Sequence, residues 1–83
     1  MTRQAAMKFN YDASAELFMP KNNRRGQVNY RRFATAADAI RFAVEELPDD
    51  SLRQAWMEVG DDRIDGRTMR DLYDSAAYPL RRK

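Results

Sequence analysis

The chain has no cysteine and no histidine, and only three glycines and three prolines among 83 residues. Without cysteine there is no disulfide to staple a small fold. Without either residue there is no zinc site of the usual kinds and no Cys–His or Ser–His nucleophile. Asp, Glu, Lys and Tyr can still do acid–base work, but nothing in the pattern gathers them into a converging set, so the sequence reads as non-enzymatic. No cofactor or metal is implied. Long apolar runs are absent as well. None approaches the roughly 18 residues of a membrane span, and no apolar segment follows Arg3 as it would in a secretory signal. The expectation is a cytoplasmic protein with no membrane partner.

What is present has to make a core without staples. A single domain of this length buries only roughly 60% or a little more of its unfolded surface, so its margin of stability is thin. Nine aromatics and five methionines supply bulky side chains for a core or an interface. Trp56, the largest apolar group, is expected to lie mostly buried.

Charge is sorted along the chain. Residues 1–33 carry Arg3, Lys8, Lys21, Arg24, Arg25, Arg31 and Arg32 against only Asp12 and Glu16, a balance of +5. Residues 34–77 have a balance of −6, and Arg81, Arg82 and Lys83 add +3 at the end. The net charge of +2 thus hides a basic front, an acidic middle and a basic tail. Asymmetry of this kind bears on partners.

Apolar residues alternate from Phe9 to Met19, most convincingly over Ala15–Met19, which predicts a strand with one buried face. Pro20 ends it. The polar stretch 21–26 closes on Gly26 and reads as a hairpin loop, and 27–33 reads as the returning strand. Thr35 and Asp38 form a capping box for a helix running to about Leu47, where Pro48 stops it. Residues 53–59 read as a third strand, with Ala55, Met57 and Val59 on one face and Trp56 and Glu58 on the other; helix is the competing reading, since Leu52, Ala55, Trp56 and Val59 also stand at helical spacing. Asp65 caps a second helix, closed by Tyr78-Pro79. The reading is a small α+β domain over 9–80, in the order ββαβα, with an antiparallel sheet carrying two helices on one face. Residues 1–8 read as a flexible lead-in and 81–83 as a solvated basic tail.

Candidate binding residues follow from this layout. Lys21, Arg24, Arg25, Arg31 and Arg32 are interleaved with amides and Tyr30. Cations neutralise phosphates and an aromatic ring offers a stacking face, so the hairpin suits nucleic acid. Alternatively, Arg31 and Arg32 pair with the acidic middle of the same chain. Phe42 falls on the charged side of the first helix, among Asp38, Glu45 and Glu46, and needs a cover from the hairpin, the third strand or another subunit. The acidic run from Asp61 to Gly66 fails as a calcium loop, because Arg63 and Leu72 stand where oxygen ligands are required. The leading reading is a non-catalytic protein-binding module or homo-oligomer, acting through the basic hairpin, an exposed aromatic, or both. Nucleic-acid binding by residues 21–32 is the alternative, and an enzyme of unknown type the third.

Overall fold

A computed structural model describes residues 9–20 and 28–82. The lead-in expected over 1–8, the candidate residues Lys21, Arg24 and Arg25, and Lys83 fall outside the described residues. The elements are β1 (Ala15–Pro20), β2 (Val28–Phe33), α1 (Ala36–Glu46), α2 (Asp49–Gln54), β3 (Trp56–Val59), β4 (Asp62–Asp65) and α3 (Gly66–Asp74). All four strands are antiparallel, in the spatial order β2-β1-β3-β4. The molecule is therefore the expected small α+β fold, with two elements added, the short α2 and the edge strand β4.

Alternation decides which face of the sheet is covered. Ala15, Leu17 and Met19 of β1 are buried, as is Met57 of β3 opposite Leu17. They meet Ile40 and Ala43 of α1 and Met69 and Tyr73 of α3 in one apolar cluster. Small residues on α1 (Ala36, Ala37, Ala39 and Ala43, all within 1% of full burial) let that helix lie close to the sheet. At about 25 cal/mol per Å², burial of this layer is the main favourable contribution to the fold.

Both long helices begin where the sequence marks them. Thr35 Oγ1 accepts from the Asp38 N–H at 3.1 Å, and Asp65 Oδ1 accepts from the Thr68 N–H at 2.8 Å. That bond holds the Asp65 carboxyl below the usual carboxylate range. Two further N–H groups at the start of α1, from Ala36 and Ala37, donate to the carbonyls of Ala13 and Tyr11. The segment before β1 therefore satisfies donors that a helix end leaves open. After α3, Tyr78 folds back under α1 and donates its hydroxyl to the Ala37 carbonyl at 2.9 Å. Burial pushes its phenol up to about 12. Arg82 donates to the carbonyls of Tyr73 and Ser75 at the end of α3, the favourable place for a cation on a helix.

Three expectations need correction. α3 ends at Asp74 with Ser75 as its C-cap, short of the expected stop at Tyr78-Pro79. Residues 53 and 54 belong to the helix α2, so the third strand starts at Trp56. Trp56 is only half-buried and points away from the core. Helical spacing and strand alternation both occur in 49–59 because the chain changes element at Ala55. No helix among the described residues is long and apolar enough to cross a membrane.

Candidate functional site

All the helices pack on one face of the sheet, and no described element lies over the other. Side chains two apart on a strand share a face, so the open face takes Glu16 and Phe18 from β1, Tyr30 and Arg32 from β2, Trp56 and Glu58 from β3, and Arg63 and Asp65 from β4. The register sets these in two rows. One row runs Tyr30, Phe18, Trp56, Asp65; the other runs Arg32, Glu16, Glu58, Arg63.

The first row is a stack of aromatic rings. Phe18 and Trp56 lie face to face, with centroids 5.1 Å apart and planes inclined by 8°. Tyr30 packs on the other side of Phe18 at 5.2 Å, tilted by 47°. The Arg63 guanidinium sits 4.4 Å from the Trp56 centroid. Strand order puts Phe18 on one side of the indole and Arg63 on the other. Tyr30, at 54% exposure, is the one exposed large hydrophobic residue among the described residues.

The second row carries both signs. Glu16 and Glu58 stand directly opposite one another, a destabilising arrangement for like charges. Each is drawn aside by a donor from the aromatic row. Glu16 accepts from the Tyr30 hydroxyl at 3.0 Å, and Glu58 from Trp56 Nε1 at 3.3 Å. The bond to Glu16 raises the Tyr30 phenol above its ordinary range. The two rows are thus tied together by hydrogen bonds as well as by packing.

Arg31 and Phe42 are elsewhere, on the helix side of β2. Phe42 is half-buried against Phe33, with centroids 5.6 Å apart. The Arg31 guanidinium covers both rings, 4.8 Å from Phe42 and 5.3 Å from Phe33. The hairpin strand is therefore the cover that Phe42 required. Arg31 and Arg32 make no ion pair among the described residues, where the pairs are Arg53 with Asp50 and Arg70 with Asp74. Glu45, at the acidic end of α1, accepts from the Tyr73 hydroxyl instead.

Of the residues singled out from sequence, the structure unites Tyr30 and Arg32 on the open face and places Arg31 and Phe42 on the opposite side. It adds Phe18, Trp56 and Arg63, which sequence reasoning passed over. A signal for two of them exists: Phe18 is the one bulky apolar residue among Asn10, Asp12, Ser14 and Glu16 on the polar face of its strand, and Trp56 shares a face with Glu58. The chain matches no family model, no curated protein and no solved structure.

Proposed function

We propose that the chain is a non-catalytic protein-binding module whose partner packs on the open face of the sheet. The observation that carries this reading is the stacked row Tyr30–Phe18–Trp56–Arg63 on a sheet face that no described element covers. Aromatic side chains and arginine are the residues from which interface hot spots are built. A row tied together by stacking and hydrogen bonds loses little side-chain freedom on binding, which favours affinity.

Two features favour a protein over a nucleic acid. A single-stranded partner would stack its bases on ring faces, but both faces of Phe18 and Trp56 are already occupied by neighbours in the row. The surrounding charges are mixed, Arg32 and Arg63 against Glu16, Glu58 and Asp65, so a phosphate backbone crossing the face meets repulsion along with attraction. An apolar centre with a rim of both signs suits a protein surface of the same character.

The test uses Trp56, the only tryptophan, as a reporter built into the site. A purified partner, captured from nuclease-treated extract, should shield Trp56 from acrylamide quenching. The variant Phe18→Thr with Tyr30→Thr should keep the fold and lose that partner. Quenching unchanged by the bound partner would place binding on another surface and overturn the proposal.

A further inference from the structure

The sheet ends in two complementary edges. β2 and β4 flank it, and neither has a further strand beside it among the described residues. Their directions are opposite, because each step across the order β2-β1-β3-β4 is antiparallel. A second copy displaced along the sheet would therefore set its β2 antiparallel to the first copy's β4, with the helices still on the same face.

The backbone phase allows this. Val59 and Asp62 flank the two-residue turn Gly60-Asp61, where Gly60 supplies the positive φ of 59° that such turns need. The pair beside a two-residue turn exchanges both hydrogen bonds, and pairing alternates from there. Met57 and Ile64 then also bond inward, which leaves both backbone groups of Arg63 and the amide of Asp65 pointing outward, the Asp65 carbonyl being taken by the first bond of α3. Carried across β3 and β1, the same alternation turns those of Tyr30 and Arg32 outward from β2. Pro20 agrees with this phase. Its missing N–H falls on the β3 side of β1, beyond Phe18, where the ladder with β3 has ended.

Charge selects a register. The β4 edge carries Asp61, Asp62 and Asp65 around Arg63; the β2 edge carries Arg31 and Arg32, with no ion pair among the described residues. Setting Arg63 opposite the next copy's Tyr30 puts Asp62 opposite its Arg31 and Asp61 beside its Arg32. Each facing pair then lies on the same side of the sheet. The aromatic row completes the match. It ends at β2 in the open ring of Tyr30 and at β4 in the guanidinium of Arg63, which already lies over Trp56. A cation at one end and an aromatic face at the other are mutual partners.

From these observations we infer that copies of the chain associate head to tail, β4 of one against β2 of the next, extending the sheet and its aromatic row. Pairing through a twofold axis would instead set Arg31 and Arg32 against themselves, or the β4 acids against themselves, and like charges facing each other repel. The head-to-tail contact is heterologous, and because it relates copies by displacement along the sheet and not by a closing rotation, growth is open-ended. A few strand residues bury less area than a stable interface needs, so association is weak and depends on concentration. The inference concerns the edges of the sheet and does not require the open face to bind another protein.

Sedimentation equilibrium tests it at low salt, from micromolar to millimolar chain. The weight-average mass should rise with concentration, pass the dimer without a plateau, and fall when salt is added. Two variants reverse one edge each: Arg31→Glu with Arg32→Glu, and Asp61→Lys with Asp62→Lys. Each alone should remain monomeric, and an equimolar mixture should recover the rise in mass. If a double substitution costs the fold, the single variants Arg32→Glu and Asp61→Lys carry the same comparison. A wild-type monomer throughout the range, a mass that levels at the dimer, a β4 variant that associates like wild type, or folded variants whose mixture stays monomeric would each overturn the inference.

Discussion

Replacing Gly66 by alanine sets two local effects against each other. Gly66 is the first residue of α3 and has no left-handed backbone to protect. Helix propensity alone would favour alanine by up to about 1 kcal/mol. The space is already filled, however. A Cβ there would stand 2.8 Å from the Leu52 carbonyl carbon and 3.4 Å from Arg53 Cα, with the Leu52 carbonyl oxygen nearer still. These are backbone atoms and cannot swing aside as a side chain can. The end of α2 must lift away from α3, taking with it Leu52, which is only 7% exposed. Overpacking of this kind costs about 1–3 kcal/mol. With two backbone atoms closer than 3.0 Å, the cost lies in the upper part of that range, about 2–3 kcal/mol, and subtracting about 1 kcal/mol of propensity leaves a net loss of about 1–2 kcal/mol. In a domain of this size that lowers Tm by roughly 4–16 °C. Thermal unfolding followed by far-ultraviolet circular dichroism reads the change. A double-mutant cycle adds the mechanism: Leu52→Ala should cost less in the Gly66→Ala background than in wild type, because α2 has already moved. A Tm that stays level or rises would refute the reasoning and show that α2 does not rest on the start of α3.

Thr35→Ala removes the hydroxyl that accepts from the Asp38 N–H and should cost about 1 kcal/mol in chemical denaturation; an unchanged midpoint would place the start of α1 elsewhere. Neighbours on opposite faces of β3 should respond unlike their sizes: Met57→Ala, fully buried, should cost about 2–5 kcal/mol, whereas Trp56→Ala should cost about 1–2.5 kcal/mol for its lost stacking and cation–π contacts. The reverse order would mean that Trp56 lies in the core. At high pH the buried Tyr78, with a folded-state pKa of about 12, ionises more readily once unfolded. Its contribution is intact below the ordinary tyrosine range near 10 and is lost as pH rises through that window to about 12. Tyr78→Phe should flatten that part of the stability–pH profile, and an unaltered slope would count against the burial.

The parts of the fold that were legible in the sequence are those set by local chemistry. Alternation in Ala15–Met19 and the breaker-rich stretch after it marked the hairpin, and Thr35 and Asp65 marked both long helices by their capping oxygens. The missed elements lack such marks. α2 has six residues, its N-cap is Pro48 with no side-chain bond, and only Leu52 is buried. β4 shows the core a single half-buried residue, Ile64, among acids that also suit a turn. The face of Trp56 was read correctly from the alternation of 55–59, but its burial was not. Size argued for the core, whereas pairing of β1 with β3 assigned that face to solvent. The site was only partly legible for the same reason. Tyr30 and Arg32 are visible as members of a basic strand, but Phe18, Trp56 and Arg63 join them through registers between strands distant in sequence, which no local pattern encodes.

The most direct measurement of the protein-binding account is acrylamide quenching of Trp56 in parallel titrations with a purified protein partner and with single-stranded oligonucleotides, at low and at moderate salt. The account predicts that the protein partner shields Trp56 at both salt levels, that the Phe18→Thr, Tyr30→Thr variant abolishes the shielding, and that oligonucleotides leave the emission unaltered. Saturable quenching of Trp56 by oligonucleotides, steeply weakened by salt as phosphate contacts are, would contradict it and assign the open face to nucleic acid.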